Sequence, residues 1–214
     1  MVALNIRGED RRIYICQNYN VVPLAHMKLL NDKSIKSDAG PMISDEYYIF
    51  SATHNENHTV ESIVCGMGAA RHLLELIEHK GLPIFNPLHT IGNGVDVAVN
   101  IGTQNINELA NNNCIQWNQT AKQLYNALMW LIYFLNAKPN TAVFDVLDKV
   151  IKYKRYNPYD SRIKSVNTMI GGLGGRTLTE IIDDHRGNNE IRDDLCNFDL
   201  LINRIEDLNI KSMF

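Results

Sequence analysis

The amino-acid sequence predicts an α+β protein, with a small mixed β-sheet and one packed helix in its N-terminal half and an all-helical C-terminal half. In the first half, short runs rich in β-branched and aromatic residues alternate with turn residues. From Trp117 onward, apolar residues recur every three or four positions, which is the helical period. The asparagine run at 111–113 is the expected boundary between the two halves. It separates an α+β region, 1–113, from a helical region, 114–214, and this arrangement is also compatible with one continuous domain.

In the N-terminal half, one amphipathic helix interrupts a series of β-like runs. The predicted strands are 11–17, 45–54, 59–66 and 95–102, and the predicted helix is 67–80. If the second and third strands form a hairpin, Phe50 pairs with Ile63 and Tyr48 with Cys65. His54 then shares a face with Cys65, but at a rise of about 3.3 Å per residue the two lie roughly 20 Å apart. A single metal ion cannot bind both, because its ligand atoms must lie within about 2.3 Å of it.

The C-terminal half contains five predicted helices. They span 117–137, 141–154, 160–170, 177–186 and 189–208. The fourth begins with Thr177 and Glu180, which have the spacing of a capping box. The last carries an apolar stripe that includes Ile191, Leu195 and Phe198.

Length and composition indicate a globular protein with a packed core. The chain has 214 residues, of which 45% are hydrophobic and 21% are charged, close to globular averages. Its 21 basic and 24 acidic residues give a net charge of −3. The charge of the whole chain therefore favours neither nucleic acid nor an anionic membrane as a partner, and any basic binding site must be local.

The N-terminus and the cysteines favour a cytoplasmic protein. Charges stand where a signal peptide needs an apolar run, and the longest apolar stretch, 127–135, is about half of a membrane span. The four cysteines are therefore expected to be reduced thiols, and neither a membrane nor a cofactor is expected. Abundant Asn, Ile and Lys are typical of an AT-rich genome, such as that of a low-GC bacterium or its phage.

Two groups of ionisable residues are candidates for catalysis. His54 and His58 flank a polar hairpin tip, where they could bind a metal or act as acid and base. His72, Glu75 and His79 follow one flank of the predicted helix 67–80. The alternatives, which we favour, are an ordinary polar turn for the first pair and a solvated helix face for the second group.

Cys16 and Cys65 are the candidate metal ligands. The first is expected to end a strand, and the second to lead a strand into a helix. The stretches 16–19 and 65–68 each resemble half of a treble-clef zinc finger, in which two Cys-x-x-Cys pairs bind one zinc ion. Because Tyr19 and Gly68 occupy the second ligand position of each half, the resemblance implies a finger without half its ligands. The favoured alternative is that both cysteines are small buried hydrophobic residues, so no metal is expected.

A basic and aromatic segment, 148–164, is the candidate partner-binding site. The residues concerned are Lys149, Lys152, Tyr153, Lys154, Arg155, Tyr156, Tyr159, Arg162 and Lys164. Cations neutralise phosphates and tyrosines stack on bases, although a protein partner is equally compatible with this composition. The commoner origin of such a segment is a solvated helix end, whose cations suit the helix dipole.

A glycine-rich stretch is the candidate anion site. Gly174, Gly175, Arg176 and Thr177 precede a predicted helix, and the free amides of a helix N-terminus can hold a phosphate together with an arginine. The stretch follows a helix rather than a strand and lacks the P-loop lysine, so it does not meet the nucleotide-binding pattern. The favoured alternative is a turn that ends the preceding helix near Gly171.

Two functions are compatible with these features. No nucleophile elbow, zinc-protease motif or kinase motif is present in the sequence, which makes an enzyme less expected. We expect a non-catalytic cytoplasmic binding or regulatory protein, encoded by a phage or mobile element, that engages a protein or nucleic acid through segment 148–164. The alternative is a small hydrolase or transferase that uses histidines of segment 54–79 with the glycine-rich anion site. That alternative requires a histidine, a carboxylate and the anion site to share one cleft.

Overall fold

The computed structural model describes residues 4–89 and 116–214. The chain divides into two units by its internal contacts: Met1–Leu88, Lys138–Phe144 and Asn188–Glu190 form the first, and His89–Ala137, Asp145–Gly187 and Ile191–Phe214 form the second. Three features of the sequence lie outside the described residues: the predicted strand 95–102, Cys114, and the asparagine run at 111–113 that marks the expected boundary between the two halves. Among the helices that the structure describes, none is long and apolar enough to cross a membrane.

The first unit contains a three-stranded antiparallel sheet and two helices. In chain order the elements are α1 (Glu9–Asn18), β1 (Tyr19–Lys28), β2 (Ile35–Lys36), β3 (Met42–Ile43), β4 (Glu46–His54), β5 (Val60–Gly66) and α2 (Met67–Leu76). The main sheet has the order β1-β4-β5, and β2 pairs with β3. Both strand pairs of the main sheet are antiparallel, while an isolated parallel bridge joins Met27 to Phe85.

The regular elements of residues 116–214 are helices. They are α3 (Gln119–Leu135), α4 (Ala142–Lys152), α5 (Asp160–Gly171), α6 (Leu178–Asp183) and α7 (Asp199–Asp207), with 3-10 turns at Arg186–Asn188 and Asp193–Leu195. Helix α3 packs against α5 and α7. Its N-terminus is capped by the Asn118 side chain, which accepts a hydrogen bond from the Ala121 amide at 3.1 Å. A small sheet in the first half and helices in the second confirm the predicted α+β class.

The hairpin of β4 and β5 has the predicted register. Tyr48 pairs with Cys65 and Phe50 with Ile63, and the side chains of Phe50, Ile63 and Cys65 are fully buried. The turn at 55–58 fixes this register, because the His54 amide donates to the Thr59 carbonyl at 2.9 Å and the later pairs follow from that closure. His54 lies at the opposite end of β4 from the residue that pairs with Cys65.

The predicted strand at 11–17 is wrong, since these residues belong to helix α1. Of this helix only Ile15 is buried, so the β-branched residues that suggested a strand do not line a sheet face. The acidic residues Glu9 and Asp10 occupy the first helical turn, where they favour the helix dipole. The strand that follows, β1, was not predicted, and it contains Pro23, which has no amide to donate to a neighbouring strand. The proline is accommodated because β1 is an edge strand whose register shifts between Pro23 and Ala25.

The predicted helix at 189–208 begins ten residues late, at Asp199. The preceding stretch is irregular apart from one 3-10 turn. There the carbonyls of Asp194 and Leu195 accept hydrogen bonds from the side chains of Asn126 and Trp130 on α3, at 3.4 and 3.1 Å. These tertiary bonds replace the bonds that helix amides would make, and the apolar residues of the stretch are still buried.

Candidate functional site

The basic and aromatic segment lies where α4 gives way to α5. Lys149 and Lys152 belong to the last turn of α4, where cations interact favourably with the helix dipole. The chain then turns, with the Tyr156 amide donating to the Tyr153 carbonyl at 2.9 Å, and α5 begins at Asp160. We refer to residues 149–164 as the basic segment.

The tyrosines of the basic segment expose their rings to solvent. Tyr159 is 71% exposed and Tyr156 is 69% exposed, the two highest values among the large apolar side chains that the structure describes. Tyr153 is 44% exposed. Burial of an aromatic ring against a partner removes a large apolar area from water. These rings are therefore available to a ligand rather than used by the core.

The cations of the basic segment outnumber the carboxylates of the same stretch of chain. Within the described residues, none of the six forms a salt bridge. Residues 148–164 contain only two carboxylates, those of Asp148 and Asp160, and the second accepts two hydrogen bonds of 2.7 Å from Arg204. Six cations against two carboxylates leave a local charge of +4 in a chain of net charge −3.

Aromatic rings contact three of the six cations of the basic segment, Lys152, Lys154 and Arg162. The Arg162 guanidinium carbon lies 5.0 Å from the centre of the Tyr159 ring and 5.6 Å from that of Tyr153. Lys152 Nζ lies 5.7 Å from the centre of the Tyr153 ring. Such cation–π contacts orient a guanidinium while leaving its N–H edge free for a planar anion.

Three residues at the start of α3, which the sequence analysis missed, extend this surface. Lys122 Nζ lies 5.4 Å from the centre of the Trp117 ring and 4.9 Å from that of Tyr125. Lys154 Nζ also lies over the Trp117 ring, at 5.7 Å, and the Lys154 carbonyl accepts from the Asn118 amide at 2.8 Å. The available signal was a lysine and a tyrosine three residues apart, on one helix face, just after a tryptophan.

The surroundings of Lys122 favour an anionic ligand. Burial lowers the pKa of Lys122, and the Asp194 carboxylate raises this pKa by less than burial lowers it. That carboxylate is already engaged by Arg192, whose Nε and Nη2 donate to it at 3.0 and 2.8 Å. An anion beside Lys122 would restore the stability of its charged form.

The hairpin histidines are used by the turn itself. His54 Nδ1 accepts from the Glu56 amide at 3.2 Å, and its ring meets the Tyr19 ring edge-on with centres 4.8 Å apart. His58 has a φ of 56°, which places it in the left-handed region at the turn. Both residues therefore contribute to the geometry of the hairpin tip.

The second group of ionisable residues does not form a helical row. His72 Nδ1 accepts from Arg12 Nε of α1 at 2.8 Å. His79 lies beyond the end of α2, and its Nδ1 accepts from the Gly81 amide at 2.9 Å. Glu75 is exposed on the helix. Within the described parts of the chain, no three His, Cys, Asp or Glu residues are placed to hold a metal ion.

The two candidate metal ligands are protonated thiols. Cys16 lies on α1 rather than at the end of a strand, which contradicts the first half of the treble-clef resemblance. Cys65 does lead β5 into α2, but it is fully buried in the apolar core. Burial raises the pKa of Cys16, and burial together with Asp38 raises the pKa of Cys65 to about 12. Since zinc binds thiolates, neither environment favours a zinc site.

One cavity of the first unit brings Cys16 and His79 together. It has a volume of about 330 Å³ and is also lined by Tyr19, Val22 and Leu76. A cysteine and a histidine in one cavity can act as nucleophile and base. Here the Cys16 pKa is raised rather than lowered, and the Nδ1 atom of His79 is taken by a backbone amide. The cavity thus lacks an activated thiol.

The glycine-rich stretch is occupied by its own hydrogen bonds. The predicted capping box is present: the Thr177 amide donates to the Glu180 carboxylate at 2.9 Å, and the Glu180 amide donates to the Thr177 hydroxyl at 3.2 Å. Arg176 donates to the Asp184 carboxylate at 2.6 Å and to the Glu180 carbonyl at 2.9 Å. Both preceding glycines, Gly174 and Gly175, have positive φ and form the turn. The groups expected to bind an anion are therefore engaged within the protein.

Comparison with known proteins gives a family but no described relative. The model of a family described as "Uncharacterised conserved protein UCP028583" matches residues 4–208, nearly the whole chain. Neither a curated protein nor a solved structure matches the chain. The chain belongs to the family that this model describes.

Proposed function

We propose that this member of the family is a non-catalytic cytoplasmic binding or regulatory protein, encoded by a phage or mobile element, that engages a protein or nucleic acid through the basic segment. One observation carries the proposal: six cations without a carboxylate partner in the described residues lie among three exposed tyrosines. Tyrosine and arginine are enriched among residues that dominate binding energy. The phage or mobile-element origin is supported by composition alone.

The alternative, a small hydrolase or transferase, has less support. It needs a histidine, a carboxylate and an anion site that act on one substrate. The Nδ1 atoms of His54, His72 and His79 are each engaged by a nearby donor. Arg176, the cation of the candidate anion site, is held by Asp184. These groups are engaged by hydrogen bonds within the protein, whereas the cations of the basic segment form no salt bridge among the described residues.

The proposal is tested by the triple variant Lys152→Ala/Lys154→Ala/Arg155→Ala. The immobilised full-length chain is exposed to a bacterial extract, and the recovered protein and nucleic acid are quantified. We expect the triple variant to recover at least about tenfold less of the partner, as the loss of several contacts at about 0.5–1 kcal/mol each implies. Its Tm should fall by less than about 5 °C, because these side chains lie on the surface.

The matched control is Lys33→Ala/Arg71→Ala/Lys80→Ala. It removes two lysines and one arginine that are exposed in the first unit, so the change in net charge is the same. We expect the control to recover the partner as the unchanged chain does. Equal recovery by both triple variants, or no recovery above bare resin by the unchanged chain, would contradict the proposal.

A further inference from the structure

We infer that the partner is a single-stranded nucleic acid, which stacks bases on Tyr156 and Tyr159 and places phosphates against Lys122, Lys154 and Arg162. This inference rests on the proposed function and adds the class of ligand. It also adds the start of α3, with Trp117, Lys122 and Tyr125, to the binding surface.

The exposed rings favour a ligand that has planar faces. Among the described residues Tyr156 contacts no other ring and no cation, and its side chain is 69% exposed. Tyr159 has one cation contact, with Arg162. A single strand presents unstacked bases that can lie on such rings, and this stacking tolerates any sequence. A duplex hides the faces of its bases and offers mainly phosphates to a basic surface.

The cations lie next to the rings, as the alternation of bases and phosphates along a strand requires. Arg162 is placed between the rings of Tyr153 and Tyr159. A phosphate bound to its free edge would therefore lie beside a base stacked on Tyr159. Arginine is suited to this position because its guanidinium can stack and bind a phosphate with two hydrogen bonds.

The start of α3 supplies a second position for a phosphate. Lys122 and Lys154 both approach the Trp117 ring, and the bond from the Asn118 amide to the Lys154 carbonyl ties this position to the basic segment. Two ammonium groups near one ring raise the local positive potential, which favours an anion at this position. The partial burial of Lys122, which lowers its pKa, adds to the gain from an anion.

An acidic peptide fits these observations less well. Its carboxylates would bind the cations, but Asp and Glu side chains offer no aromatic face to Tyr156 and Tyr159, the most exposed rings of the described residues. A nucleic acid strand uses both the charges and the rings. The protein partner is therefore an outcome of the test rather than the inference.

The test measures binding of the full-length chain by fluorescence anisotropy. The probes are a labelled mixed-sequence DNA strand of about 15 nucleotides, the same sequence as RNA, its blunt duplex, and a poly-glutamate peptide. We expect either single strand to bind at least about tenfold more tightly than the duplex or the peptide, since only the single strands offer base stacking. The slope of log K against log salt should be about −2, for three phosphate contacts on a single strand.

Two variants separate stacking from charge. Tyr156→Ala/Tyr159→Ala should weaken single-strand binding by about tenfold or more for each ring, while Lys122→Gln should reduce the salt slope by about 0.7. The matched control is Tyr14→Ala, which removes a tyrosine that is 47% exposed and also carries an arginine, with Arg11 4.8 Å from the ring centre. The control should bind as the unchanged chain does. Circular dichroism checks that each variant is folded.

The outcomes distinguish the inference from the proposed function. Duplex binding as tight as single-strand binding, or unchanged affinity of the double tyrosine variant, overturns the inference. The inference is also overturned if the peptide binds more tightly than the single strands, or if none of the four probes binds. In those cases the proposed function still stands if Lys152→Ala/Lys154→Ala/Arg155→Ala no longer captures the partner from the extract. The proposed function fails if this variant captures the partner as the unchanged chain does.

Discussion

Trp130→Phe tests how α3 fixes the irregular stretch before α7. The Trp130 side chain is fully buried, and its Nε1 donates a hydrogen bond to the Leu195 carbonyl at 3.1 Å. Its ring is stacked on Phe134, with centres 5.5 Å apart and planes 12° from parallel. Phenylalanine keeps an aromatic ring at this position but cannot donate to the carbonyl. The substitution therefore removes the bond and part of the ring volume.

The expected loss of stability follows from two contributions. A buried carbonyl deprived of its donor costs about 1–3 kcal/mol. The smaller ring leaves a void, and removal of part of a buried side chain costs a further amount of about 1–2 kcal/mol. Together they predict a decrease of about 2–5 kcal/mol in the free energy of unfolding, a large part of the 5–15 kcal/mol typical of a domain. The Tm should fall by roughly 5–15 °C.

Urea unfolding followed by tryptophan fluorescence measures this loss, with Trp117→Phe as the matched control. The chain has two tryptophans, both in the second unit, so each variant keeps one reporter there. Trp117 is half-buried, and its Nε1 has no partner within the described residues, so the control should lose less than about 1 kcal/mol. The reasoning is refuted if Trp130→Phe loses less than about 1 kcal/mol, or if the control loses as much.

Two further predictions concern titratable groups. Cys65 should react with iodoacetamide at pH 8 about 1000-fold more slowly in the native protein than in urea, because burial and Asp38 raise its pKa to about 12 and leave little thiolate. Mass spectrometry of timed samples measures the two rates. Equal rates would show an accessible thiolate and contradict the prediction. Asp160→Asn should lower stability at neutral pH but not at strongly acidic pH. Hydrogen bonds from Arg204 lower the pKa of Asp160 below 3.8, so its contribution is complete above the ordinary carboxyl pKa and is lost as the pH falls through the lower folded-state pKa. Thermal unfolding from neutral to strongly acidic pH checks the prediction. The control is Glu206→Gln, which removes an exposed carboxylate of α7. The prediction is contradicted if Asp160→Asn remains less stable than the unchanged chain by the same amount at the lowest pH.

The hairpin register could be predicted because the polar turn at 55–58 fixes it. The His54 amide donates to the Thr59 carbonyl at 2.9 Å across this turn, and the pairs Phe50–Ile63 and Tyr48–Cys65 follow from that closure by counting along the two strands. The capping box of Thr177 and Glu180 was predictable for a similar reason, since four consecutive residues contain all of its groups.

Two elements could not be predicted because residues far away in the sequence decide them. Helix α1 has β-branched residues that favour a strand, yet its Ile15 packs in a core formed with β4 and β5, and tertiary packing outweighs propensity. In the stretch before α7, the spacing of Leu195 and its neighbours fits a helix equally well. Trp130, 65 residues away, takes the carbonyl that a helix would use.

Part of the candidate binding surface could be predicted from the sequence, and part of it could not. The basic segment is continuous in sequence, so its cations and tyrosines were visible without a structure. The contribution of Trp117 and Lys122 depends on the contact of the Asn118 amide with the Lys154 carbonyl, across 36 positions of chain. No spacing rule connects these two stretches.

The balance of charges along the sequence separates the cations that support the fold from those of the basic segment. Most arginines in salt bridges of the second unit have their carboxylate within eight residues, as in the pairs Arg176–Asp184, Arg186–Asp183, Arg186–Asp193 and Arg192–Asp194. The basic segment has few carboxylates within that reach, and one of them, Asp160, is bound by Arg204 from α7. Its cations therefore cannot all be neutralised locally, and within the described residues none of them forms a salt bridge with a carboxylate from elsewhere in the chain. A surface with a local charge of +4 attracts anions over a distance of about 10 Å at moderate salt, and this attraction is the reason why we propose a negatively charged partner, whether its charge comes from phosphates or carboxylates.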